Sequence, residues 1–343
     1  KKKWHVPFSF GIILLSIVSW IVSNYLGYTM IYNDSMSHIN IARLVVDNQE
    51  PGFAQIGSVW LPLNHILPII FIWNDWAWRT GFAGSIFSML SYVIATVAIY
   101  KTVFLLTSKR LAGIIGALVF ATNLNMLYIQ STPLTESLYI GLFCLSVLFF
   151  TLWLVKKNNT KFLFILGVIG FFQVVTRYDG WFVVFIQALL ITFYELRSCK
   201  SKVTECLGKV FLFGLPIAFG LGIWLLWNGL IFGNPLFFAF GPYSAHSQQE
   251  TIANSVGLLT KGSLYHSVIA YFFAMVHNIG AFILIISLGG VTVLLTIKNK
   301  VTRSKKILLL LLLSSPIAFN VIALFFGFSI LNIPELNWNP SGD

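Results

Sequence analysis

Nine apolar stretches divide this chain, near residues 8–31, 80–106, 111–129, 134–155, 162–177, 179–195, 209–231, 266–296 and 307–331. A helix needs roughly 20 mostly apolar residues to cross a bilayer. Backbone groups facing lipid find no water, so such runs must satisfy their hydrogen bonds internally, as helices do. The expected fold is all-α: a polytopic transmembrane helix bundle of about nine spans, forming a single transmembrane domain over 1–343. The fifth and sixth stretches are one apolar run broken at Thr176-Arg177-Tyr178-Asp179-Gly180. A turn is expected there, because a lipid-facing Arg and Asp at mid-bilayer would cost several kcal/mol. The run 61–73 is too short to span and reads as a helix lying in the interface. The first span exceeds a signal-peptide core and lacks a small-x-small cleavage site before residue 33, so it is read as retained.

The charges orient the bundle. Only 10% of residues are charged and 57% are hydrophobic, against roughly 25% charged in a soluble domain. This excludes a water-soluble globular enzyme, a disordered chain and a nucleic-acid-binding module. The net charge of +11 is explained by placement. With the N-terminus in the cytoplasm and the spans alternating, 18 of the 22 basic residues fall inside, as the positive-inside rule requires. Only Arg43, Arg79, Arg177 and Lys261 fall outside. The acids reverse the pattern: Glu195 and Glu205 are inside and the other nine of eleven outside. Three cysteines in apolar contexts suggest neither a disulfide framework nor a zinc site.

Two outer segments, 32–79 and 232–265, are long enough to carry a function. The first is expected to hold two interfacial helices. One covers 35–47, with Asn40, Arg43 and Asp47 on one stripe. The other opens within Gly57-Ser58-Val59-Trp60-Leu61-Pro62-Leu63-Asn64-His65, with Trp73, Trp76 and Trp78 at its far end, as in an aromatic belt. Asp34 reads either as a general base at the outer surface or, with Ser35, as the cap of the following helix. His38, one turn later, reads as a packed histidine or a site residue. Glu136 follows Pro133, which suits a first helical turn. It either serves the helix dipole or reaches the same outer cavity as Asp34. Arg177 and Asp179 read as a local ion pair, Arg79 as a headgroup contact and Lys261 as solvated. Together with Arg43 these are the only outer cations, so any anionic ligand there must draw on some of them.

An acid just after the first span, followed by Trp60-Leu61-Pro62-Leu63, resembles the GT-C superfamily of integral membrane glycosyltransferases. The nearest likeness is to the family 39 type, which includes protein O-mannosyltransferases and the aminoarabinose transferase of lipid A. Thr135-Glu136, Thr176-Arg177-Tyr178-Asp179-Gly180 and Gly233-Asn234-Pro235-Leu236-Phe237-Phe238 extend the resemblance along the chain. It implies inverting transfer of a sugar from a polyprenyl- or dolichyl-phosphate donor to a hydroxyl or amine of a glycan, lipid or protein. The site would face outward from a prokaryotic plasma membrane, or the lumen of the endoplasmic reticulum. Asp34 and Glu136 take the catalytic positions, and Arg79, Arg177 and Lys261 are the candidates for the donor phosphate. His38, Arg43, His65, Tyr178, Asp179, Asn234 and Tyr243 would line the acceptor cavity. Close relatives often show Asp-Glu at the first acid, whereas Ser35 follows Asp34 here. That weakens a two-carboxylate metal arrangement in the first loop and leaves a divalent metal, and its ligands, open. Such enzymes usually have more spans and often an outer soluble domain, so further C-terminal sequence is expected. The main alternative is a transporter or flippase for a lipid-linked sugar or small solute, which would use broken helices and related halves. No internal repeat is visible. A noncatalytic scaffold is the third reading.

Overall fold

The computed structural model describes residues 5–156, 159–198, 202–242, 244, 247–248, 250–251, 258–297, 301–329, 331 and 333–336. Among them there are helices and connecting loops but no strand. The protein is an all-α, multi-pass membrane protein. Six helices are long and apolar enough to cross a bilayer, or up to eight spans if each of two bent pairs counts as one. The six are formed by α1 (His5–Tyr25), α5 (Phe82–Thr107), α8 (Thr135–Val155), α10 (Tyr178–Phe193) with the π-helical turn that continues it to Arg197, α11 (Val203–Phe232) and α15 (Arg303–Phe325); the four-residue α12 (Phe237–Phe240) follows α11. The helix α9 (Thr160–Val174) is apolar but has only 15 residues. The nine apolar stretches thus appear as six long helices, two bent pairs and one short helix.

Both bends have local causes. The third stretch splits into α6 (Arg110–Ala121) and α7 (Leu124–Gln130), bent by 66°. Asn123 restarts the helix: its side chain accepts a hydrogen bond from the Met126 N–H at 3.0 Å, satisfying one of the donors a helix start leaves free. The eighth stretch splits into α13 (Leu264–Ile279) and α14 (Ala281–Thr296), bent by 106°. Gly280 lies between them with φ +83°, a backbone region that side-chain-bearing residues seldom enter. An apolar run long enough for one straight span is therefore two helices meeting at an angle.

The segment 32–79, the first of the two expected to lie outside, folds onto the ends of the spans. It holds α2 (Asn33–Leu44), α3 (Leu63–Ile66) with a 3-10 turn at Leu67–Ile70, and α4 (Asp75–Arg79). Ile39, Ala42, Ile72, Ala77 and Ala83 form its apolar core. The α2 helix runs two residues earlier and ends three residues earlier than expected. The second interfacial helix is shorter than expected, because Pro68 in the 3-10 turn cannot donate to a continuing helix. Arg43 clamps α2 to α4. Its guanidinium lies 2.6 Å from Asp47 and 3.0 Å from Asp75, donates to the Ile72 carbonyl at 2.8 Å and stacks over Trp78. At the opposite end of the bundle, Lys209 pairs with the buried Glu195 at 2.6 Å and Lys305 donates to the Leu154 carbonyl.

Candidate functional site

Four segment ends meet at one place: the start of α2, the start of α8, the turn between α9 and α10, and the loop before α3. The close approach of α5 makes room for the first two. A Cβ at Gly84 of α5 would sit 2.5 Å from Pro133 and 2.9 Å from Ile39, so glycine lets the α8 entry and α2 both press onto α5 there. Asn64 then donates to the Pro133 carbonyl at 3.0 Å, and the Tyr178 hydroxyl donates to the Val59 carbonyl at 3.2 Å. These bonds tie the first outer segment to the heads of α8 and α10.

Asp34 lies in the first turn of α2. The capping position belongs to Tyr32, and no side chain caps the helix. Asp34 and Ser35 are therefore not caps, because the helix begins before them. Asp34 is half-buried and makes no hydrogen bond or ion pair among the described residues. Partial burial, and then the charge of Glu136, push its carboxyl above the ordinary 3.8. His38 lies one turn on, buried, with its Nδ1 2.8 Å from Nε2 of the fully buried His65. Trp60 covers the His38 ring at 4.7 Å between centroids. Burial lowers the His38 pKa to about 4, with Glu136 pulling upward and Arg177 downward. Burial and then His38 lower His65 to about 3, against the pull of the Ile56 carbonyl. The pair is neutral at pH 7.

Glu136 lies in the first turn of α8, where Leu134 rather than Pro133 adjoins the helix. Arg177 is the residue before α10, in extended conformation. Its Nε donates to Asp179 at 3.0 Å, and its Nη1 donates to Glu136 at 2.6 Å and to the Thr135 hydroxyl at 3.0 Å. The Nη2 group has no hydrogen-bond partner among the described residues, so one edge of the guanidinium remains available. The expected local pair with Asp179 is present, and Glu136 joins it from another helix.

Arg177, Glu136 and Asp179 form the charged end of a cavity of about 600 Å³. Its body is mainly apolar and runs between the two bent pairs, with α8 and α15 as the other walls. Asn125 and Asn278 both line it, and the Asn125 amide donates to the Asn278 carbonyl at 2.7 Å, joining the two bends. Asp34 and His38 are not part of this lining.

The structure thus brings together Asp34, His38, His65, Glu136, Arg177, Tyr178 and Asp179. Arg43 is held in the α2–α4 clamp. Arg79 is exposed beside Trp78, and Lys261 is exposed with its stem over Gly327; neither lines the cavity. Asn234 closes a turn by accepting from the Leu236 N–H at 2.9 Å. Tyr243 lies outside the described residues. Sequence reasoning overlooked Tyr139, Tyr271, Asn125, Asn278 and Asn320, all cavity-lining. Polar side chains inside apolar runs were the available signal. Among the described residues no three His, Cys, Asp or Glu side chains are arranged to hold a metal ion, so the residues present do not form a metal cage. The chain matches no protein-family model, no curated protein and no solved structure.

Proposed function

We propose that this protein is an inverting membrane glycosyltransferase of the GT-C type, using a polyprenyl-phosphate sugar on the outer face of the membrane. Counting the short α9 and both bent pairs as crossings gives the nine spans of that reading. The observation that supports it most is the cavity: a guanidinium with one free edge lining a mainly apolar cavity of about 600 Å³. A lipid phosphate has that same division, an anionic head on an apolar tail.

In this reading the phosphate oxygens receive the Nη2 hydrogens of Arg177. Glu136 and Asp179 hold the guanidinium in place through its other nitrogens. Asp34 approaches from α2, outside the cavity lining, which suits attack from the side opposite the leaving group. It takes the proton of an acceptor hydroxyl as that oxygen bonds to the anomeric carbon. The bond from the anomeric carbon to the phosphate oxygen breaks, and its electron pair leaves with the phosphate. The growing phosphate charge is met by Arg177, an electrostatic contribution of the kind that dominates many enzymes.

A transporter remains the second reading, favoured by one observation: broken helices flank the cavity, and transporters build substrate sites from discontinuous helices. The deciding experiment uses the purified chain with undecaprenyl phosphates carrying labelled glucose, galactose, mannose or aminoarabinose, and with a mixture of glycans, lipids and peptides as acceptors. Transfer predicts that label leaves the lipid as free undecaprenyl phosphate accumulates, in detergent as in vesicles. If label crosses sealed vesicles but never leaves the lipid, the transferase reading fails and transport stands.

A further inference from the structure

We infer that the acceptor is a carbohydrate, and that Asp34 and His38 grip two neighbouring hydroxyls of it from one face of α2. The inference rests on the transferase reading above and names the acceptor class for that site. Residues four apart on a helix stand about 5–6 Å apart at Cβ, so these two side chains address one small ligand together.

What they present to it follows from the histidine pair. The 2.8 Å separation of His38 Nδ1 and His65 Nε2 holds a single proton when both rings are neutral. Its owner is decided at the far end. The His65 Nδ1 is sealed from solvent and has no partner at full hydrogen-bond geometry. The Ile56 carbonyl favours a proton on the His65 ring. A bare lone pair buried beside a carbonyl would be repelled and unpaired, which is the costlier arrangement. His65 therefore carries its proton on Nδ1 and accepts at Nε2. His38 must then donate from Nδ1, which leaves its own Nε2 as a bare acceptor. That nitrogen has no partner among the described residues and is not among the sealed atoms. Trp60, packed against the ring at an interplanar angle of 55°, restrains its orientation.

An ionised carboxylate only accepts hydrogen bonds, and so does an imidazole nitrogen without its proton. The face of α2 at the reaction centre thus offers two acceptors and no donor. Its complement is a ligand with two O–H donors side by side, a polyol ring. A serine or threonine side chain supplies one donor and leaves the other acceptor unpaired. Sites built around a particular hydroxyl discriminate strongly against ligands that lack it. Asp34 takes the proton of the attacking hydroxyl, while His38 receives a hydrogen bond from its neighbour. His38 is a binding residue, and His65 is a positioning residue that acts through it.

The test uses the purified full chain labelled with ¹⁵N-histidine, with resonances assigned by His38→Gln. Wild type should show neutral His38 protonated at Nδ1 and bare at Nε2; a proton on Nε2 overturns the inference without any variant. Saturation-transfer NMR should then find methyl glycosides of glucose, galactose or mannose bound, and a threonine tripeptide bound more weakly. His65→Phe keeps a ring but removes the acceptor, and should weaken glycoside binding roughly 10-fold or more. His65→Asn, whose side-chain oxygen can accept from Nδ1, should restore most of it. Undecaprenyl phosphate binding, measured on the same samples, should be unchanged in both variants and serves as the fold check. Glycosides bound no better than the peptide, with undecaprenyl phosphate still bound, would sink the carbohydrate acceptor and leave the transferase reading standing. Loss of undecaprenyl phosphate binding in wild type would instead remove the transferase reading, and with it this acceptor assignment.

Discussion

Arg43 and Arg177 each face two carboxylates at the same end of the bundle, yet they are different objects. All three nitrogens of Arg43 are engaged, by Asp47, Asp75 and the Ile72 carbonyl, and both of its carboxylates are 64% exposed. Arg177 engages only two of its nitrogens, and its partner Asp179 is 11% exposed. One arginine is used up in fastening a surface segment. The other is held by its acids and still has an edge to offer. What separates a fastening from a site is therefore the unspent donor and the cavity behind it, since the number of acids is the same.

The sharpest way to break this contrast lies one residue group away. Asp34→Asn keeps the side chain's size, and the residue has no capping role to lose. Expression should persist while turnover of an undecaprenyl-phosphate sugar falls by roughly 10²-fold or more. Wild-type turnover in that variant would remove the reason to treat the Arg177 region as a reaction centre. The two arginines can then be set against each other. Arg177→Ala should weaken donor use by about 1.5–3 kcal/mol, the scale of a charged hydrogen bond. Arg43→Ala should leave donor use unchanged and lower stability by about 1–3 kcal/mol, because its guanidinium is only 17% exposed and also donates to the Ile72 carbonyl. Thermal melting beside a donor-binding titration reads both, and equal donor loss in the two variants would erase the distinction.

The remaining effect is a pH dependence. His38 and His65 fall from 6.5 in the unfolded chain to about 4 and about 3 in the folded one. Between those values the unfolded chain binds more protons, so stability rises with pH there. It is complete above about 6.5 and is lost as pH falls toward 4 and below. Asp34 has the opposite sign, because its raised carboxyl favours the folded state at low pH and loses that benefit as pH rises. The melting temperature should fall on acidification, and replacing both histidines with glutamine should flatten that slope. An unchanged slope would show that the buried pair does not titrate with unfolding.

Much of the bundle was legible in the residues. Apolar length identified the helices because lipid leaves the backbone few other structures. The turn at Thr176–Gly180 was legible because a charged pair interrupts an apolar run. The bends at Asn123 and Gly280 were not, since a run of spanning length reads as straight until a cap or a positive φ is placed within it. Nor could spacing distinguish Arg43 from Arg177, because their partners come from other helices. His38 and His65 are 27 positions apart. Their bond depends on Asn64 and Gly84 drawing the first outer segment onto α5 and α8, a tertiary event without periodic trace.

The shortness of α9 has a bearing on depth. Its 15 residues rise about 22 Å at 1.5 Å each, some 8 Å less than a hydrocarbon layer of about 30 Å. Arg177 follows three positions after its end, so with α9 as one of the nine proposed crossings the guanidinium lies below the level that full-length spans reach. The surrounding bilayer meets such a shortfall by thinning, which draws headgroups inward toward the buried charge. Membrane thickness thereby becomes a parameter of this site: a bilayer of longer acyl chains must deform further before its phosphates and Arg177 can meet.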